Sequence, residues 1–556
     1  MEFFRALLAL FLAFFSALNI FDGPNEKPPV REPEVYNFEY LEYPDEAIIQ
    51  PGEAGLTLKS FLSRADDDGD ELYQNAQGYQ DINGIIKSPY FNAYVDGKRI
   101  PVYGTTVFVG STQKGALHSF CEVYVDTSKD ISLYLQLNTD DFIINNVDIF
   151  PSSIDVNYIF GMDVVNAEIT QLGTYTFVFN DTDQEHGFTF FVRELVDEDK
   201  EIEKLKKEYG ANNVVVVEKG FHDDMPCYDF YGQNNMVYYL KRGSYLLAKH
   251  VYDINSEADD MQDTSKMDTA EMNAGHLPLG LTRTPYINFN VCNNVKILGN
   301  GLMDFSHLDR RERRGVVAAY SNNVEISGLK IINPGEWAFI TYDCENVTIK
   351  NVDIFGYRQN SDAFAICNTR NATIENSFCR SGDDLFDVKA VGGRDVAISK
   401  NITFSNCTAW NGKARCFGIC GEVEKDIQDV TFKDSVVVFH DATWDYDRIP
   451  AIAIVVENQG GSISNVKFEN IEIHKAHGRA IGCLIYGSNV ENFKISDVVY
   501  KDITYNSLKP NKVASNGKTT NTISAQFENV YGNGSKITQV DSKNFEYDKY
   551  ATITIK

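Results

Sequence analysis

Asp362, in the segment QNSDAFAI, and the adjacent Asp383 and Asp384, in CRSGDDLFDVK, are the residues whose type and spacing best suit chemistry. Both segments are short strand-like runs at equivalent places in two successive copies of an internal repeat. If the copies stack as coils, DAFAI lies beside DLFDV and Asp362 falls next to Asp384. Adjacent strands are ~5 Å apart, so the carboxylates converge on one spot of one sheet face. Crowding negative charge there opposes folding and raises at least one pKa. That points to acid–base catalysis or a bound cation; the bland alternative is acidic turn residues facing water. One geometric demand follows. Neighbours on a regular strand point to opposite faces, so Asp383 and Asp384 share a site only where the chain bends, which Gly382 permits.

The repeat that must position them is legible from about residue 293. Its phrase is Asn or Asp, an apolar residue, a polar one, an apolar one, then a small turn. It occurs at Asn293, Asn322, Glu345, Arg370, Lys400, Gln428, Ser464 and Glu491. The first apolar positions (Val295, Val324, Val347, Ala372, Ile402, Val430, Val466, Phe493) are 29, 23, 25, 30, 28, 36 and 27 residues apart. Such a period means a solenoid, propeller or array. β-branched residues alternate with polar ones and no helical period intervenes. There is no leucine ladder, and the spacing is shorter than a propeller blade. The expected fold is a parallel β-helix, its uneven spacing marking turns that lengthen on one side to build a groove.

The rest of the chain sets the context. At 556 residues, with 43% hydrophobic and 12% aromatic residues, several domains and a large core are expected. Residues 1–22 read as a secretory signal peptide, with Arg5, an apolar run from Ala6 to Phe15 and small residues Ser16 and Ala17. Residues 23–34 form a Pro-rich charged linker. Closely spaced strand patterns over 35–200 predict an antiparallel β-sandwich, 201–212 a solvent-facing linker helix, and 213–556 the β-helix. The loop 253–277 is expected over the groove. A net charge of −28 argues against nucleic acid and acidic polymers as partners. Ten cysteines carry no paired zinc spacing, so no metal or other cofactor is expected, while one or two disulfides are permissible. No later run is long enough to span a bilayer, so a secreted monomer without membrane contact after signal cleavage is expected.

Taken together, a β-sandwich before a β-helix, Asn360-Ser361-Asp362, and Gly382-Asp383-Asp384 one coil later resemble the polygalacturonase and dextranase clan of glycoside hydrolases, families 28 and 49. The resemblance covers about 290–500 in sequence and the sandwich by architecture alone. It implies a right-handed, pectin-lyase-like solenoid and an inverting hydrolase acting on a polysaccharide or oligosaccharide. Asp383 would be the general acid that protonates the glycosidic oxygen, with Asp362 and Asp384 activating water. Inverting pairs stand ~6.5–9.5 Å apart to admit that water.

Two departures bear on the substrate. Where the family has Gly-His-Gly, this chain has NGKARCFGICG, which places Arg415 in the stack beside Asp384. Where the family's Arg-Ile-Lys grips a substrate carboxylate, it has Ile452-Ala453-Ile454. A neutral or differently substituted glycan is therefore expected, although Arg448 and Arg479 could partly restore a positive subsite. Trp337, Trp410, Trp444 and Tyr446 fall near the proposed site and suit sugar faces, or equally the packing of long loops. Lys389 is a further substrate-binding candidate. Two other functions stay open. A β-helix lyase would use Ca²⁺ on Asp362, Asp384 and Asp387, with Arg415 or Lys389 as base; a glycan-binding solenoid would cut nothing.

Overall fold

The computed structural model describes residues 38–49, 84–110, 114–126, 130–138, 142–180, 183–225, 228–230, 232–248, 286–308, 314–392, 397–442, 445–458 and 460–556. The signal-peptide and linker readings, the 253–277 loop and Trp444 lie outside the described residues. No helix among the described residues is long and apolar enough to cross a membrane.

The chain divides into two compact units whose segments interleave: 1–41, 88–103 and 119–195 form one, and 42–87, 104–118 and 196–556 the other. In the first unit, a five-stranded antiparallel sheet runs Lys98–Ile100, Phe91–Val95, Ile131–Leu137, Val164–Ile169, Asn157–Phe160. Its Ile131–Leu137 strand alternates buried and half-buried residues, the pattern of a sheet with one covered face. Phe91, Leu133, Val123, Phe177 and Phe188 meet in that unit's core. Between two of its strands the sandwich departs from the antiparallel expectation. Residues 188–194 run parallel to 119–125, with Phe188 opposite Ser119 and Glu194 opposite Val125.

The second unit is the β-helix. Two long, mainly parallel ladders run through it, one of 21 strands and one of 11. The repeated phrase works because its Asn or Asp takes a left-handed backbone. Asn294, Asn323, Asn346, Asn371, Asn401, Asp429 and Asn465 all have φ between 54° and 58°, a region open to few side chains besides Gly, Asn and Asp. Each turn then sets the next apolar residue into the interior, and Val295, Val324, Val347, Ala372, Ile402, Val430 and Val466 stack in register. Side-chain amides bond along the turns, Asn371 donating to Asn346 at 3.2 Å and Asn401 to Asn371 at 2.8 Å. Inside, Phe404, Phe432, Phe468 and Tyr500 stack with centroids 4.9, 4.9 and 5.0 Å apart. The eighth phrase is out of step: Val466 pairs with Val498, not Phe493. Two left-handed residues, Asn492 and Asp497, stand in that stretch, and the second of them holds the register.

The helix Glu198–Tyr209 is not wholly solvent-facing. Asp197 caps it by accepting from the Lys200 amide, and Ile202 and Leu205 pack with Val214, Val237 and Tyr239. The nine described cysteines are all buried and free; Cys227 lies outside the described residues. Burial pushes the thiols of Cys379 and Cys416 up, and buried free cysteines of this kind behave as small apolar residues.

Candidate active site

Seven strands of the 11-stranded ladder position the candidate site: β1 (Val316–Ala319), β2 (Phe339–Tyr342), β3 (Phe364–Cys367), β4 (Phe386–Ala390), β5 (Phe417–Val423), β6 (Ile452–Val456) and β7 (Ile481–Ile485). Phe339, Phe364, Phe386, Phe417, Ile452 and Ile481 stand opposite one another. Two residues upstream in each coil the same register brings Trp337, Asp362, Asp384, Arg415, Pro450 and Arg479 into one column. Main-chain bonds continue the ladder there, from the Ala363 amide to the Asp384 carbonyl at 2.8 Å and from Leu385 to Arg415 at 3.0 Å.

Asp362, Asp383 and Asp384 each present a carboxylate oxygen within 4.8 Å of the others. The chain bends at Gly382 and Asp383, so both members of the pair reach the same side. Gly382 is required by crowding: a Cβ there would stand 2.2 Å from the Arg358 carbonyl oxygen. Ser361 ties the two aspartate loops together, its hydroxyl accepting from the Gly382 amide at 3.0 Å and meeting the Ser381 hydroxyl at 2.7 Å. The nearest-oxygen spacing is tighter than the 6.5–9.5 Å expected between inverting carboxyls.

The three aspartates have different surroundings. Arg415 holds both oxygens of Asp384, through its amide at 2.9 Å and its guanidinium at 3.0 Å. Asp383 is less buried than its neighbours and accepts from the Asn360 amide at 3.1 Å. Asp362 is buried and its Oδ1 has no protein hydrogen-bond partner. Burial first, then Asp383, Asp384 and Asp387, raise Asp362 well above the ordinary carboxylate range, against the pull of Lys389. Asp383 is raised too, by burial and then by Asp384, while Lys413, Lys389 and Arg415 oppose the rise. Burial and like charge thus favour the protonated forms of Asp362 and Asp383.

Several predicted ligand contacts are corrected. Trp410 is fully buried, with the Arg380 guanidinium 3.9 Å from its ring centre and His118 against its edge, so it offers no face to a sugar. Arg479 is 1% exposed and ion-paired to Asp447 at 2.6 Å and Glu546 at 2.7 Å. Lys389 is 3% exposed and turned onto protein carboxylates rather than outward. His440 is also fully buried, and burial lowers its pKa to about 4. Trp337 is half-buried, with the cations of Arg314 and Lys389 each 5.0 Å from its ring centre. Tyr446 and Arg448 are half-buried; Arg448 lies 5.2 Å from the ring of exposed Tyr486 and pairs with Asp445 at 3.3 Å.

Other residues escaped the sequence reading. Asn411, fully buried, donates to the carbonyls of Asp383 at 2.8 Å and Arg415 at 2.9 Å and accepts from the amides of Lys413 and Ala414. It locks the Asp383 loop to the next coil. Its signal was faint, an Asn opening the stretch matched to the family's Gly-His-Gly.

Residues 300–551 match the profile of Glycosyl hydrolases family 28. The matched stretch lies within the solenoid, which is thus similar in sequence to that family. Among curated sequences the chain is similar to an exopolygalacturonase of Zea mays, 26% identical over 36% of this chain and 48% of that protein. It is also similar to polygalacturonase QRT2 of Arabidopsis thaliana, 23% identical over 34% of this chain and 42% of that protein. The chain thus spans about half the length of the curated relatives it matches. Among solved structures, Dex49A from Penicillium minioluteum superposes with a TM-score of 0.56 and 11% identity, covering 85% of this chain and 95% of that one. That likeness establishes the fold.

Proposed function

We propose that this chain is a secreted inverting glycoside hydrolase that cleaves O-glycosidic bonds of a neutral, or at least non-polygalacturonate, polysaccharide. The observation that carries the reading is the convergence of Asp362, Asp383 and Asp384 within 4.8 Å on a solenoid matching family 28. Asp383, the least buried of the three and raised in pKa, is the general acid. Asp362, with one unengaged oxygen, receives the water's proton, and Asp384, clamped by Arg415, orients that water. An oxocarbenium-like transition state needs both services at once.

Charge supports a neutral substrate. Ile452, Ala453 and Ile454 are fully buried where the family's carboxylate clamp would fall. Three cations of the site are already matched by protein carboxylates: Arg415 by Asp384 and Glu457, Lys389 by Asp387 and Glu422, Arg448 by Asp445 and Glu457. The names of the maize and Arabidopsis relatives argue the other way, so polygalacturonate belongs in the screen. Wild-type protein, Asp383→Asn and Asp362→Asn are to be assayed for reducing ends on dextran, pullulan, galactan and polygalacturonate. Hydrolysis of a neutral polymer is expected, with each variant slowed by a factor of about 10²–10⁴. Variants as fast as wild type would sink the reading. The first-formed anomer, followed by NMR, is expected to be inverted; retention would mean that the tight cluster works by a nucleophilic carboxylate instead.

A further inference from the structure

Lys389 stands on β4, five residues beyond Asp384, and a bulge in β5 determines what surrounds it. Val388 pairs with Ile419 and Ala390 with Val423, so the single residue Lys389 faces Cys420, Gly421 and Glu422. Gly421 takes φ 83° to make the bulge, and such irregularities re-aim side chains beside active sites. Its effect is to turn two acceptors onto one ammonium. The Nζ of Lys389 donates to the Cys420 carbonyl at 3.1 Å and to Glu422 Oε2 at 2.8 Å. Asp387 Oδ2 lies 2.9 Å away, itself held by the Cys420 amide at 3.0 Å through its other oxygen. The Trp337 ring centre is 5.0 Å off, two coils back. With its other sides closed, the ammonium sits 4.0 Å from Asp362 Oδ2.

We propose that Lys389 is a positioning residue for the water-activating carboxylate: the bulge-built clamp of Asp387, Glu422 and the Cys420 carbonyl fixes its ammonium beside Asp362, which it aims and whose ionised form it favours against the surrounding carboxylates. The inference rests on the assignment of Asp362 under the proposed function and replaces the expectation that Lys389 binds sugar. The charged groups acting on Asp362 are Asp383 and Asp384 from the bend before β4, and Asp387 and Lys389 from β4 itself. Lys389 is the cation among these leading groups, so its removal leaves Asp383, Asp384 and Asp387 as the dominant charges on Asp362.

The test is Lys389→Met, read on whichever of dextran, pullulan, galactan or polygalacturonate the wild type cleaves fastest. A base must be ionised, so losing the cation moves the acid limb of the pH profile to higher pH, by about one unit, while kcat falls at least tenfold and KM stays within about twofold. Lys389→Arg restores most of the rate. An infrared titration of the carboxylic-acid band that Asp362→Asn abolishes reads the same displacement without substrate. A raised KM with an unmoved acid limb would overturn the proposal and make Lys389 a sugar ligand. Should Lys389→Met not fold, Glu422→Gln at the half-buried edge of the clamp supplies the opposite sign, since less competing charge moves the limb to lower pH; no displacement there would equally overturn it. Asp362→Asn separates the two claims. If that variant keeps wild-type activity, the parent assignment fails, whereas an inactive Asp362→Asn with an unmoved Lys389→Met limb sinks only the positioning role.

Discussion

Asp383 and Asp362 share a site but answer to different cations, which makes their titrations separable. Lys413 is the strongest of the cations opposing the rise at Asp383, whereas Lys389 takes that part at Asp362. Under the proposed mechanism the acid is active while protonated, so its deprotonation sets the basic limb of the pH profile. Removing a cation that favours the ionised form raises its pKa. Lys413→Met is therefore expected to extend activity to higher pH, with the acid limb in place, as measured by kcat/KM across pH. A basic limb moving downward would assign the proton to another carboxyl. The residue-level reading of the sequence stops at this same distinction. Asp362, Asp384 and Arg415 could be aligned because they share one column of the ladder. Glu422 joins Asp387 and Lys389 only through a bulge in the neighbouring strand, which leaves no mark in the periodicity. Trp410 misled because strand residues alternate faces, and the face it occupies is covered by His118 and Arg380 from segments distant in sequence.

Each coil of the solenoid is an element built around one left-handed residue. Asn371 has φ 56°, donates its side-chain amide to Asn346 and accepts from that of Asn401. Alanine there forces an ordinary Cβ into the left-handed region, at about 1–2 kcal/mol, and deletes two amide contacts. Glycine keeps the conformation and loses only the contacts. Denaturant midpoints should therefore order wild type above Asn371→Gly above Asn371→Ala, and an alanine variant as stable as glycine would refute this account of the turns. The same turn chemistry explains how much of the fold was legible. A residue type that recurs because the backbone demands it writes the period directly into the sequence. The demand was ambiguous only near residue 495, where Asn492 and Asp497 are both left-handed and the register follows the second. The parallel pairing of 188–194 with 119–125 had no comparable signature, since alternation identifies a strand without naming its partner.

Across the whole molecule, 79 acidic residues face 51 basic ones, and the site adds buried aspartates to that imbalance. Burial first raises Asp387 to about 8, and Asp362 and Asp383 are raised as well. For each, the native state binds a proton that the unfolded chain releases above its ordinary pKa near ~3.9. Unfolding then liberates protons, and stability falls as pH rises through the window from ~4 to 8. Ion-paired carboxyls act oppositely: Asp447, lowered chiefly by Arg479, loses its contribution only as pH drops below its unfolded value. The molecule should thus melt a few °C higher near pH 5.5 than at pH 8, on the order expected for one or two kcal/mol in a large domain. Surface self-repulsion tilts stability the same way, but ~1 M salt shortens the screening length to ~3 Å and suppresses it. The part of the pH dependence that survives salt belongs to the buried cluster, and Asp387→Asn should reduce it. Calorimetry at both pH values, with and without salt, decides the matter: a dependence abolished by salt alone would place the effect on the surface, and a melting temperature that climbs toward pH 8 would mean that the aspartates are ionised in the folded protein.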